Sequence, residues 1–221
     1  MKHLNLNNIE KMLTMQDSMN TTVNNHWRNE NNPWYRAMWT ECAELMDHIG
    51  WKWWSKQELD INQAEMELVD IWHFGLSDIL QKGVESIAIL KDVESIYQNT
   101  LKHERNEIDK KEVLKNVENF SESILIKKTF DIKSFFVLAN SLNLDFDRLT
   151  LLYIAKNVLN KFRQNNGYKS GTYTKIWGGK EDNCHLTQIV LDFNDNNLDT
   201  LEEYIYKNLE IKYKSVKSSI C

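Results

Sequence analysis

Apolar residues recur along this chain at helical spacing far more than at strand spacing. Leu4, Ile9, Met12, Leu13, Met15 and Met19 predict a helix over residues 4–20. An Asn-rich stretch, 20–33, ends at the sole proline and reads as a loop. Pro33 suits the first turn of the next helix, Trp34–Ile49. Gly50 and the string WKWW (51–54) interrupt the pattern. It resumes over 63–81, with Met66, Val69, Ile71, Phe74, Leu76 and Leu80 apolar and Gly83 placed to end the helix. Residues 84–130 are amphipathic but densely charged and predict a helical sub-lobe with solvated faces. Further helices are predicted over 132–142, over 148–164 after the cap-forming LDFD, and over 198–212. Between the last two lies a glycine-punctuated loop, NNGYKSGTYTKIWGGKEDN (165–183).

Composition narrows the fold. The chain has seven Gly and one Pro in 221 residues, where average usage is about 7% Gly and about 5% Pro. Turns and hairpins lean on both residues, so a β-sandwich or barrel is excluded. No GxGxxG or GxxxxGK[ST] string occurs. The expectation is an all-α chain, folded as one domain over 1–221. A net charge of −5 argues against nucleic-acid or anionic-membrane partners. Three scattered cysteines without a CxxC fit reduced thiols in a cytoplasm and give no zinc site. The N-terminus has no apolar signal-peptide core, and no apolar run exceeds five residues, so no membrane span is expected.

Two pairs of carboxylates carry the first chemical signal: Glu41-Cys-Ala-Glu44 and Glu67-Leu-Val-Asp70. Spacing of i,i+3 puts both members of a pair on one helix face. Two such faces brought together would gather four like charges, which need compensation. Hard divalent cations with oxygen ligands supply it, so Mg²⁺ or Mn²⁺ is the natural partner. A lone ExxE is more often a solvated stripe; two pairs in Trp-rich, apolar sequence are harder to dismiss.

The second signal is charge segregation. Lys156, Lys161, Arg163, Lys169, Lys175 and Lys180 fall between residues 151 and 180, a stretch without Asp or Glu. A charge run alone is usually a solvated helix face. Here the glycines would let backbone N–H groups approach an anion. An acidic metal cage together with a cationic loop is what hydrolysis of a phosphoanhydride requires.

ECAE (41–44), ELVDIWHF (67–74), KNVLNKFRQNNGYKSGTY (156–173) and EDN (181–183) together resemble the dimeric, all-α dUTPases of the all-α NTP pyrophosphatase superfamily. The likeness runs from Met12 to Asn183 and is weak over 84–130 and at the C-terminus. It implies a helical bundle with a helical cap lobe and a mobile basic loop. It also implies a homodimer and Mg²⁺-dependent hydrolysis of dUTP, and of dUDP, to dUMP. Glu41, Glu44, Glu67 and Asp70 would hold two or more Mg²⁺ ions. Glu41 would be the general base toward an activated water, with Glu44 as the alternative, and attack would fall on the β-phosphorus.

The same resemblance assigns the substrate contacts. Gln16 and Asn160 would read the uracil edge, with Asn24 nearby, because a side-chain amide offers both a donor and an acceptor. By itself Gln16 would read as an exposed helix position. Phe74 would pack under the deoxyribose, His73 would contact the sugar or support Asp70, and Lys52 would face phosphate. Trp51 and Trp54 would wall the base pocket, while Trp53 departs from the small or polar residue of that pattern. Trp27, Trp34 and Trp39 read as core or dimer packing. Lys156, Arg163, Lys169 and Lys175 would bind phosphate, with Asp182 and Asn183 ordering the loop. The competing readings are a related pyrophosphatase for dCTP or a modified nucleotide, and a helical binding protein without catalysis.

Overall fold

Helical periodicity becomes helix almost wherever it occurs. In this computed structural model residues 5–83, 86–100, 107–195 and 197–218 are described. The order is α1 (Leu6–Val23), a 3-10 turn at Trp27–Asn29, α2 (Trp34–Ile49), α3 (Ile61–Gln81), α4 (Ser86–Thr100), α5 (Lys110–Lys127) and α6 (Ile132–Ser141). Then come α7 (Phe146–Asn165), a two-stranded hairpin of β1 (Ile176–Trp177) and β2 (Lys180–Glu181), α8 (Asp182–Leu191) and α9 (Leu198–Ser218). The fold is all-α, as expected. The backbone forms two compact units, residues 1–150 and 151–221.

In the first unit α2 packs along α3 and α5, α6 against α4 and α5, and α1 against α3 and α4. The helices of the 84–130 segment are thus part of this bundle; residues 84–85 and 101–106 lie outside the described residues. Local chemistry sets the ends. Gly50 closes α2 in the left-handed region at φ 86°, and Asp60 caps α3 by accepting from the Gln63 N–H at 3.2 Å. The Asp60 N–H donates to the His48 carbonyl at 2.9 Å, pinning the α2–α3 loop at its base. Asp131 caps α6; burial opposes its charge, but Lys127 at 2.5 Å and Ser123 at 2.6 Å donate to it and hold its pKa at about 2.

The core of the first unit is aromatic. Trp72 is fully buried, stacked on Phe135 at 5.2 Å, with Phe130 and Phe136 edge-on or tilted around it. Phe130 is brought there because Asp78 on α3 accepts from its N–H at 3.0 Å and from the Thr129 hydroxyl at 2.6 Å. Gly75, one turn from Trp72, makes room for that ring: a Cβ there would stand 2.8 Å from Phe130. Gly75→Ala should therefore lower the melting temperature. The clash costs about 1–3 kcal/mol against a helix-propensity gain of about 1 kcal/mol. A variant that melts higher than the parent would show that Phe130 yields.

The second unit is organised by Trp177, buried at the hairpin. It stacks on His185 at 5.5 Å and lies 5.0 Å from Tyr213 and 5.9 Å from Phe162, joining α7, α8 and α9. Gly178 and Gly179, at φ 56° and 82°, form the two-residue turn that such a hairpin demands. Two features here differ from the sequence reading. Residues 165–183 hold this hairpin rather than loop alone, and α8 follows at once, where no helix was expected. Nor does Trp39 pack in this chain's core; it is 52% exposed.

Candidate active site

The two acidic pairs lie on the packed helices α2 and α3. Glu41, Glu67 and Asp70 bring carboxylate oxygens within 4.8 Å of one another. Glu67 is buried, while Glu41 and Asp70 are half-buried. Glu44 is exposed and lies outside this trio, but its charge still bears on Glu41. Burial first, then repulsion from Asp70, Glu67 and Glu44 and a hydrogen bond with Glu67, push the Glu41 carboxyl up to about 8. Such a cluster keeps a proton because its negative charge is uncompensated. Hard oxygen donors with surplus negative charge fit a divalent cation of the Mg²⁺ type.

Surrounding residues fix these acids. His48 Nε2 stands 3.4 Å from Glu67 Oε1, and that hydrogen bond raises the His48 pKa above its usual value. His48 was not singled out in the sequence, although it sits seven residues after Glu41, on the same helix face. Glu65, five residues before Asp70, is instead bound to Arg148, whose Nε and Nη2 lie 3.1 and 3.0 Å from Glu65 Oε2. Asp47 accepts from the Trp51 indole at 2.8 Å and pairs with Lys52 at 3.1 Å. Cys42, between the acids, is buried, which pushes its thiol up to about 12 and suits packing rather than nucleophilic attack.

The nucleoside candidates of the first unit are placed unequally. Gln16 is buried, contrary to what its helix position alone suggests, and its Nε2 donates to Ser77 Oγ at 2.9 Å and Asn20 Oδ1 at 3.1 Å. Asn20 and Ser77 were not anticipated; Asn20's i+4 spacing from Gln16 was the available signal. His73 is buried, with Nδ1 2.9 Å from the Val69 carbonyl, so Nδ1 carries the proton. Phe74 is half-buried and stacks on Trp34 at 6.2 Å. Trp34 is held in turn by its indole donating to Gln81 Oε1 at 3.1 Å. Asn24 caps α1 and is engaged locally with Glu30 and the His26 N–H. Trp51, Trp53 and Trp54 form an edge-to-face cluster that is mostly open to solvent, Trp53 at 88% and Trp54 at 57%.

In the second unit the cationic window divides. Lys156 is buried and donates to Asn183 Oδ1 at 3.0 Å. Arg163 grips Asp182 with both arms, at 2.8 and 2.7 Å, and donates from Nη1 to Asn160 Oδ1 at 3.0 Å. Tyr173 donates to Asp182 Oδ2 at 2.7 Å. Burial opposes the Asp182 charge, yet the Arg163 hydrogen bonds hold its pKa below the ordinary value. Burial and the neighbouring Asp182 carboxylate raise Tyr173. Lys169 and Lys175 are exposed, and Lys175 stands 5.8 Å over the Tyr168 ring. Arg163 is therefore a structural ion-pair partner in this structure, a role that the charge count over 151–180 could not reveal because Asp182 lies two residues beyond that window.

Within the first unit, clustered acids on a packed helix pair form a candidate divalent-metal centre. A family model described as dUTPase matches residues 8–168, nearly three quarters of the chain. The chain belongs to the all-α dUTPase family, enzymes that hydrolyse dUTP. No curated protein matches it closely enough to add a nearer relative. Among the described residues no helix is long and apolar enough to cross a membrane.

Proposed function

We propose that this dUTPase works with Mg²⁺ at Glu41, Glu67 and Asp70, with Glu44 completing the set, and converts dUTP to dUMP and pyrophosphate and dUDP to dUMP and phosphate. The observation that carries the reading is the acid trio with its retained proton. Bound there, Mg²⁺ would neutralise the acids, engage phosphate oxygens and make an attacking water more acidic. Glu41 takes the proton of that water as it bonds to the β-phosphorus; the oxygen bridging the α- and β-phosphates leaves with dUMP. His48 would hold Glu67 in place through the 3.4 Å contact with its Oε1. Phe74 would exclude a 2′-hydroxyl, and Gln16 and Asn160 would read uracil. Lys52, Lys156, Arg163, Lys169 and Lys175 would offset phosphate charge. The active form would be a homodimer.

The direct test is turnover of dUTP, dUDP, dCTP, dTTP and UTP by the purified protein, with Mg²⁺ and with EDTA. Mg²⁺-dependent release from dUTP and dUDP alone is expected; equal turnover of dCTP would replace the base assignment. A second measurement needs no turnover. Glu41 is protonated at pH 6 and largely ionised at pH 9, given a pKa of about 8. Mg²⁺ should therefore raise the melting temperature more at pH 9 than at pH 6, and release about one proton on binding near pH 7. A pH-independent shift would place the cation elsewhere.

A further inference from the structure

Glu67 is the buried member of the acid trio, its side chain 5% exposed, and two residues of α2 meet it. Glu41 shares a hydrogen bond with it. His48 Nε2 stands 3.4 Å from its Oε1. Glu41 and His48 are seven residues apart, about 10 Å along the helix axis, and Glu67 is in contact with both. His48 is itself fixed at the main chain. Its carbonyl accepts from the Asp60 N–H at 2.9 Å, and Asp60 caps α3 two turns before Glu67. Gly50, two residues on, turns the chain at φ 86° where a Cβ would stand 2.8 Å from Gln57. One residue thus ties α2 to α3 twice, once by its carbonyl and once by its ring.

We infer that His48 is a positioning residue that sets the affinity of the acid trio for its divalent cation, by holding Glu67 Oε1 so that the carboxylate is ordered before the cation arrives. This rests on the proposed Mg²⁺ site. The two contacts of Glu67 differ in kind. A cation seated among the three acids replaces the hydrogen bond between Glu41 and Glu67. The His48 contact comes from two turns further along α2 and survives that exchange. With its proton on Nε2, the ring donates to an oxygen that burial has removed from water. Without that donor, the oxygen would be desolvated and unpaired, and the side chain would have to be ordered by the cation itself. Both costs fall on metal affinity.

The test is a Mg²⁺ titration of the metal-free protein, read as the rise in melting temperature, for the parent, His48→Ala, His48→Leu, His48→Gln and Glu67→Gln. His48→Ala and His48→Leu, which lack a donor, should need about ten to a hundred times more Mg²⁺ for the same rise. His48→Gln sets an amide N–H₂ the same number of bonds from the main chain and should stay within about threefold of the parent. Leu fills most of the ring's volume, so it decides should Ala fold poorly. A merely structural ring would lower the metal-free melting temperature and leave the Mg²⁺ midpoint where it was. If Ala and Leu bind Mg²⁺ as the parent does while Glu67→Gln loses the response, the metal site stands and the positioning role is overturned. If Gln loses as much as Leu, the donor is not what matters, and the inference fails as well. If Glu67→Gln keeps the parent's response, Glu67 is no ligand, and the proposed site fails together with the role of His48.

Discussion

Glu41→Gln should lower kcat on dUTP by at least about a thousandfold and, in the absence of metal, make the protein more stable at alkaline pH. Both effects come from one group. Glu41 is the trio member whose carboxyl is pushed to about 8 by burial and by Asp70, Glu67 and Glu44. A pKa above the unfolded value means that the folded state holds the proton more tightly. That contribution to stability is complete below about pH 4.5 and is lost as pH rises through about 8. Gln is a permanently neutral isostere that can still donate toward Glu67. Without Mg²⁺, the parent should lose melting temperature between pH 5 and pH 9, while Glu41→Gln should hold level; at pH 5 the two should coincide. Thermal melts in EDTA across this range check the sign, and steady-state assays check the rate. A variant whose melting temperature falls in parallel with the parent's would show that Glu41 does not carry the cluster's proton. Glu44→Gln makes the needed comparison. Glu44 is exposed and outside the trio and raises Glu41 only by its charge, so a loss of turnover as large as that of Glu41→Gln, with a smaller gain in alkaline stability, would make Glu44 the base.

The acids could be read from sequence because their information is local. Pro33 and Gly50 bracket α2, Asp60 and the run to Gln81 bracket α3, and i,i+3 spacing fixes which side chains share a face. That the two faces meet is a fact of packing, α2 lying along α3 with Leu45 and Val69 buried. What stayed hidden depends on partners distant in sequence. Ser77 gains meaning only when α3 meets Gln16, 61 residues away. The Glu65–Arg148 pair spans 83 residues. Helix α8 escaped notice because its first turn carries the EDN string, which the family likeness marks as a loop element, and its N-cap position, Glu181, makes no side-chain cap. The WKWW tryptophans were legible as a cluster but not as a surface, since hydropathy does not say which aromatic rings face outward.

Asp182→Ala should strongly destabilise the second unit. Asp182 is 1% exposed and Arg163 12%, and the carboxylate takes both guanidinium arms at 2.7 and 2.8 Å and the Tyr173 hydroxyl as well. Its removal leaves a buried guanidinium without its counter-charge, at a cost of about 3–5 kcal/mol, or roughly 10 °C in melting temperature for a chain of this size. Exposed charges nearby, such as Lys169, should tolerate substitution to Ala within about 0.5 kcal/mol. The pH dependence has the opposite sign to that of Glu41. The Asp182 pKa lies below 3.8 in the fold, so its contribution is present above that value and is lost as pH falls further. Buried pairs are often replaceable by apolar groups of similar volume. Arg163→Met/Asp182→Leu should therefore recover most of the stability that Asp182→Ala loses. That double variant also separates structure from chemistry. If it folds and still turns over dUTP at the parent rate, Arg163 serves only to anchor α7 to the start of α8. If it folds but turnover falls a hundredfold or more, by about 3 kcal/mol of transition-state stabilisation, the guanidinium has a second task on the phosphate chain, and Asp182 is the group that keeps it oriented for it.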